Sequence, residues 1–269
     1  MHNIRLCLAT LSLLILVSVA TAAERGHLYA HRGGAHEFEE NTMEAFRGSY
    51  DAGLRGFETD VRMTRDGVLV ILHDDTLERT HNATGSVEEM TAAELRGVTT
   101  KKKGQKFLFL DEFLTFLADK PGIYLELEMK TSNKKLYPDE RLDEYCSKLL
   151  AAANAAKGKG SSYLFTSFDD RPLKIIKKLD TQADILFISG GPCNEELIKK
   201  GKELGAKRVA FKMDGTSRAA VRDAHKAGFL VNGWPGHTLE DYHLAVGLGI
   251  DGICSDIPVA IQQWKAKHE

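Results

Sequence analysis

Gly56-Phe57-Glu58-Thr59-Asp60-Val61-Arg62-Met63-Thr64-Arg65-Asp66-Gly67-Val68-Leu69-Val70-Ile71-Leu72-His73 decides the fold. It holds two β-rich runs, Gly56 to Met63 and Val68 to His73, with only Thr64 to Gly67 between them. Parallel neighbours need a crossover of about a dozen residues or more, so these two runs must pair as an antiparallel hairpin. Arg65-Asp66-Gly67 supplies the turn, Gly67 tolerating a positive φ. A turn centred near Asp66 brings His73 back opposite Glu58 and Asp60.

Outward from the hairpin, short β-rich runs alternate with amphipathic stretches. The remaining strand candidates are Leu28 to His31, Ile123 to Met129, Tyr163 to Ser167, Ile185 to Ser189, Arg208 to Met213, Phe229 to Gly233 and Gly252 to Ser255. Helical patterns run over Thr42 to Ala52, Leu110 to Ala118, Asp139 to Ala156, Asp169 to Leu179, Glu195 to Leu204, Thr216 to Ala227 and Leu239 to Leu248. Capping residues such as Thr42, Asp169 and Thr238 open several of them, and Gly53, Gly205, Gly228 and Gly249 close others. Such alternation implies βα units on a parallel sheet. Setting aside the hairpin's return strand leaves eight strands, the number a closed barrel needs. The expected fold is therefore an α/β (β/α)8 TIM barrel with a β-hairpin insertion after strand 2.

Length and composition agree. The chain has 269 residues and no Pro/Ser-rich linker, and such barrels commonly occupy about 250 residues as one domain. Residues 1–22 read as a secretory signal peptide: Arg5 precedes an apolar run from Leu6 to Val19, and Ala20-Thr21-Ala22 has cleavage-site spacing. The apolar run is short for a membrane span. Residues 23–269 are thus expected as one exported domain, periplasmic or extracellular, without stable membrane insertion. The formal charge of −2 argues against nucleic acid as a partner, which would want a basic face. Lys101-Lys102-Lys103 reads as a solvated loop. Cys146, Cys193 and Cys254 are too few and too widely spaced for a disulfide framework.

Polar residues gather where the strands should end. His31-Arg32-Gly33-Gly34 closes the first strand, and in a barrel that end lines the site. Taken alone, His31 is better read as a hydrogen-bonded structural histidine. Glu58 and Asp60 share one strand face; alone, they fit equally a hairpin with one wet side. In Ile123-Tyr124-Leu125-Glu126-Leu127-Glu128-Met129-Lys130, the odd positions are apolar and should pack on helices, so Glu126, Glu128 and Lys130 should face the barrel mouth. A salt bridge of Glu128 with Lys130 is the plainer alternative. Carboxylates from two strands then converge, as a hard divalent cation requires, and oxygen ligation suggests Mg2+ or Ca2+. His73-Asp74 adds a second histidine, giving a possible acid–base pair for phosphoryl transfer.

In order along the chain, His31-Arg32-Gly33, Glu40-Asn41-Thr42, Glu58-Thr59-Asp60-Val61, Thr64-Arg65-Asp66-Gly67, His73-Asp74, Arg79-Thr80, Glu128-Met129-Lys130 and Asp251-Gly252-Ile253 with Ser255-Asp256 resemble the glycerophosphodiester phosphodiesterase family. The resemblance implies that His31 and His73 act as general acid and base. It implies that Glu58, Asp60 and Glu128 hold one divalent cation, and that Arg32 and Lys130 neutralise phosphate oxygens. Trp234 stands where such enzymes shape the substrate pocket, although a buried core tryptophan fits that position nearly as well. The implied substrate is a small-molecule glycerophosphodiester, cleaved to glycerol 3-phosphate and an alcohol. Glu39, Glu126, Pro235-Gly236-His237 and Cys254 depart from the pattern; Glu126 is left without an assigned role. The alternatives are a lyase of the sphingomyelinase D type, which shares the barrel and paired histidines, and a non-catalytic phosphodiester-binding protein. A zinc hydrolase is disfavoured, since no H-x-H pair ends the first strand.

Overall fold

The computed structural model describes residues 27–268. The expected signal peptide, residues 1–22, lies outside the described residues.

Among the described residues, nine strands form one sheet: β1 (His27–Ala30), β2 (Gly56–Met63), β3 (Leu69–Ile71), β4 (Tyr124–Met129), β5 (Ser162–Ser167), β6 (Asp184–Ile188), β7 (Arg208–Lys212), β8 (Leu230–Trp234) and β9 (Gly252–Ser255). Their order is β1-β9-β8-β7-β6-β5-β4-β2-β3, and a further pairing of β1 with β2 closes the ring. All ring pairings are parallel. β3 alone runs antiparallel, on β2, with Val61 opposite Ile71 and Met63 opposite Leu69. The result is an eight-stranded (β/α)8 barrel carrying one hairpin strand.

The alternation along β4 shows why the sheet closes. Leu125, Leu127 and Met129 are buried with Leu110, Phe113, Leu142, Tyr145 and Leu149 on the outside of the ring. Tyr124, Glu126 and Glu128 face inward, toward a layer of Leu164, Leu186, Ile188 and Ala210 at the barrel's heart. A continuous outer apolar face needs helices, and the helices supply it: α1 (Met43–Asp51), α2 (Ala92–Leu95), α3 (Leu110–Leu117), α4 (Asp139–Ala156), α5 (Asp170–Leu179), α6 (Glu195–Leu204), α7 (Arg218–Lys226), α8 (Leu239–Leu248) and α9 (Pro258–His268). Side chains of Thr42, Asp169, Asn194 and Thr238 accept from backbone N–H groups of the first turns of α1, α5, α6 and α8, satisfying donors a helix leaves orphaned.

Several expected boundaries shift for local reasons. The first strand stops at Ala30, because His31 opens a tight 3-10 turn. The return strand shortens to Leu69–Ile71: Val68 accepts from the Thr64 N–H (2.8 Å) to close the turn, and Leu72 makes the last bond, its N–H donating to the Asp60 carbonyl (3.0 Å). The helix expected from Thr216 begins at Arg218, with Ser217 as its cap. Cys146, Cys193 and Cys254 are buried free thiols. No helix among the described residues is long and apolar enough to cross a membrane.

Candidate active site

The first βα turn has an unusual backbone. Arg32 takes left-handed angles (φ 51°, ψ 31°), followed by Gly33 (φ 81°) and Gly34 (φ 101°). A non-glycine residue there is uncommon, and it turns the Arg32 N–H onto Glu58 Oε2 at 3.0 Å. Gly33 is obligatory on packing grounds too, because a Cβ would stand 2.7 Å from the Ala45 Cβ. This turn places His31 and Arg32 on either side of the acids of β2.

Those acids meet the next strand in register, Glu58 beside Glu126 and Asp60 beside Glu128. One oxygen from each of Glu58, Asp60 and Glu128 lies within 4.8 Å of the others. Glu58 Oε1 and Asp60 Oδ1 are buried without a hydrogen-bond partner, a costly arrangement unless something positive is supplied. Burial, with Asp60 and Glu128 close by, holds the Glu58 carboxyl well above the usual carboxylate range. Burial pushes Asp60 the same way, but Lys130, His73 and Arg32 outweigh it and keep Asp60 ionised. Two buried oxygens without a hydrogen bond, in an all-oxygen set, fit a hard divalent cation at these three residues.

Two fixed cations flank the acids. Lys130 Nζ donates to Glu128 Oε1 at 2.8 Å and stands 3.6 Å from Asp60 Oδ1. Arg32 Nε is 3.5 Å from Asp60 Oδ2, and its Nη1 donates to Glu40 Oε1 at 3.0 Å. The salt bridge of Glu128 with Lys130, weighed as an alternative, is therefore present, inside the acidic set rather than instead of it.

His31 and His73 each lean on a carboxylate. His31 Nδ1 donates to Asp256 Oδ1 (2.6 Å), which aims Nε2 toward Glu58 Oε2, 3.9 Å away. His73 Nδ1 donates to Asp74 Oδ1 (2.7 Å). Burial alone would raise both aspartates, yet bonds from His31 and His237 bring Asp256 down to about 2, and bonds from Arg79 and His73 bring Asp74 to about 2. Arg79 also donates to Glu40, so Arg32, Glu40, Arg79, Asp74 and His73 form one continuous chain of ion pairs.

These groups open on one cavity of about 410 Å³. His31, Arg32, Glu58, His73, Glu128, Lys130 and Trp234 line it, while Asp60 lies just behind. Its far wall is Trp234 edge-on to Phe168 (centroids 5.8 Å apart), with Lys212 Nζ 5.4 Å from the Trp234 ring centre. A larger cavity of about 540 Å³ over Ser189, Gly190 and α6 shares the Phe168 and Ile188 walls but contains no histidine. Glu126, whose role the sequence left open, belongs one layer deeper. It accepts from Asn232 Nδ2 (2.6 Å) and from the Tyr124 hydroxyl, and burial raises its pKa. The residues that sequence reasoning left without roles are Asp256, Asp74, Glu40, Asn41 and Lys212. Asn41 is the sharpest omission: it donates to Asp60 Oδ2 at 2.8 Å and accepts from Thr59, locking the acid in place.

Comparison with known proteins places this cavity in a family. The chain is 28% identical to a glycerophosphodiester phosphodiesterase of Caldanaerobacter subterraneus over 246 residues, covering 85% of this chain and 93% of that protein. It is 25% identical to another of that name from Bacillus altitudinis, covering 86% and 94% respectively. Its fold superimposes with a TM-score of 0.81 on a phosphodiesterase of Oleispira antarctica, solved in complex with the product sn-glycerol-3-phosphate, at 23% identity over 89% of this chain and 96% of that one. The profile of the Glycerophosphoryl diester phosphodiesterase family matches residues 31–260, from the first site histidine to the last helix, and the chain belongs to that family.

Proposed function

We propose that this phosphodiesterase cleaves glycerophosphodiesters to glycerol 3-phosphate and a free alcohol, with His31 and His73 as its proton carriers and a divalent cation held by Glu58, Asp60 and Glu128. The observation that carries the reading is the convergence, on one cavity, of two His–Asp pairs and an acid set with two buried oxygens that accept no hydrogen bond. Family membership and the product bound by the Oleispira antarctica relative support the substrate class.

Electrostatics favours a phosphodiester. With its acids ionised, the inner set carries three carboxylates against Arg32 and Lys130, one net negative charge. A bound divalent cation would reverse that sign and supply stabilisation for charge on the non-bridging phosphate oxygens. Arg32 and Lys130 orient the same oxygens from either side. Asp256 and Asp74 stay ionised and accept from Nδ1, so each histidine presents Nε2 to the substrate: on the neutral ring that nitrogen takes a proton, and on the protonated ring it carries one to give. One imidazole removes a proton from the substrate's neighbouring glycerol hydroxyl while that oxygen attacks phosphorus. The other gives a proton to the departing alcohol oxygen as its P–O bond breaks. The cyclic phosphate so formed is opened by water with the two roles exchanged. Release of the cyclic phosphate as the final product would instead mark a lyase of the sphingomyelinase D type. The apolar leader at residues 6–19 supports an exported, periplasmic or extracellular, enzyme.

Hydrolysis of glycerophosphocholine by purified protein tests the reading. Activity should vanish with EDTA and return with Mg2+ or Ca2+, and His31→Ala and His73→Ala should each lower turnover by at least about 10²-fold with the fold intact. Full turnover in either variant removes that histidine from the mechanism. Binding without turnover, in excess metal, would leave a phosphodiester-binding protein.

A further inference from the structure

Asp256 serves more than one histidine. Its side chain is 3% exposed, and its Oδ1 holds His31. Its Oδ2 accepts from His237 Nδ1, and His36 Nε2 stands 3.7 Å from the same oxygen, too far for a hydrogen bond. The rings of His36 and His237 lie side by side, centroids 5.1 Å apart and planes 22° from parallel. One imidazole satisfies Oδ2; the second is left over. Both rings are about half exposed, His36 at 52% and His237 at 47%, so the group opens to solvent at the rim of the cavity.

One donor atom from each of His36, His237 and Asp256 lies within 4.8 Å of the other two. Around a tetrahedral zinc ion with bonds of about 2.0–2.2 Å, neighbouring donors stand roughly 3.4 Å apart. Closing the set on an ion thus asks for movements of about an ångström, from two rings that are each about half exposed. The donor chemistry is opposite to that of the inner acids. Two imidazoles and one carboxylate, with a fourth position facing water, suit zinc or a similar late first-row ion, whereas Glu58, Asp60 and Glu128 offer hard oxygens alone.

We propose that His36, His237 and Asp256 form a second metal site, suited to zinc, at the mouth of the active-site cavity, and that its occupation slows the enzyme through the carboxylate shared with His31. A cation on Oδ2 draws electron density from the carboxylate, so Oδ1 becomes a poorer acceptor for His31 Nδ1–H. It also sets positive charge beside an imidazole that must take up a proton during the reaction. The metal site stands on the geometry of these three residues; the inhibitory consequence rests on the phosphodiesterase reading above.

Two measurements separate these parts. Protein carrying Glu128→Gln, which disables the inner acids, is titrated with zinc chloride by calorimetry. One equivalent should bind, and adding His36→Ala should weaken it by at least about tenfold, the lower bound seen even for outer-shell partners. Absence of that equivalent, or indifference to His36→Ala, overturns the site. In parallel, glycerophosphocholine hydrolysis is followed in saturating Mg2+ as zinc is raised, using the native sequence and the single variant His36→Ala. The variant should keep its activity without zinc and need at least about tenfold more zinc for half-inhibition. Equal sensitivity overturns the inhibitory role. A protein that binds zinc through His36 but hydrolyses no glycerophosphodiester would refute the phosphodiesterase reading and leave the metal site standing.

Discussion

Each candidate proton carrier is one half of a histidine–aspartate pair, and the two pairs are built differently. Asp74 follows His73 directly in the chain, whereas Asp256 reaches His31 from just beyond the last strand, 225 residues away. In both, the ionised aspartate fixes the proton on Nδ1 and so decides which nitrogen meets the substrate. Asparagine in place of Asp256 would keep the shape but could present its amide N–H to Nδ1, favouring the wrong tautomer. Asp256→Asn should therefore lower kcat by at least about 10²-fold with KM changed only a few-fold, in steady-state hydrolysis of glycerophosphocholine. An unchanged kcat would show that Asp256 does not set the tautomer. The alternating acids of β2 and β4 were legible because strand periodicity announces which side chains share a face, whereas the roles of the two histidines came from the ordered resemblance, His31 alone reading as structural. The partner of His31 was not, since only ring closure brings β9 beside β1. Glu126 was ambiguous for a related reason: alternation puts it on the same face as Glu128 but does not say how deep it lies, and its depth commits it to Asn232 and Tyr124.

The hairpin is the element on which the second histidine depends. Register places Leu72 beside Asp60, so the chain delivers His73 between Glu58 and Asp60. Buried Arg62 fastens that end: it donates to the carbonyls of Leu72 (3.2 Å) and His73 (2.9 Å) and pairs with buried Glu88 (2.9 Å) and with Asp75 (2.6 Å). Removing one member of a buried ion pair costs about 3–5 kcal/mol. Arg62→Met should show that loss in urea unfolding, together with reduced turnover as His73 loses its anchor; a variant of native stability and activity would contradict this role. The excursion that follows, residues 72–109, packs Leu77, Val87, Leu95, Val98, Phe107 and Phe109 into a small core of its own with Val70 and Leu72. His81 sits in it at 6% exposure, and burial holds its pKa down to about 4 from the ordinary 6.5. Above pH 6.5 the ring is neutral in both folded and unfolded chains and has no effect. As pH falls from 6.5 toward 4 the unfolded chain binds the proton first, so stability is lost across that window, on the order of 2 kcal/mol. Unfolding curves between pH 7 and 4.5 should accordingly be flatter for His81→Gln than for the native chain; parallel curves would refute the assignment. Little of this excursion was legible, because a 3-10 turn at Val87–Glu89 and a helix of four residues are too short to show a period. The last helix escaped for another reason: it buries only Pro258 and Ile261, so no apolar stripe announces it.

At the scale of the molecule, the closed ring makes the site possible by bringing the strand ends to one mouth. The turn after β1, the hairpin on β2, the acids of β4, Trp234 at the end of β8 and Asp256 after β9 are scattered over most of the chain, yet all open on the same cavity. The eight-strand count was readable from a single spacing, Thr64 to Gly67, since four residues cannot cross between parallel neighbours. Everything chemical then turns on whether the inner acids hold a cation between the two imidazoles. The most direct test is a crystal soaked with Ca2+ and glycerol 3-phosphate, with the anomalous signal locating the ion. The account predicts one peak bonded to Glu58, Asp60 and Glu128 at about 2.3–2.6 Å, with the phosphate beside it and within reach of His31 and His73. A peak bonded elsewhere, or phosphate bound away from both imidazoles, would contradict it.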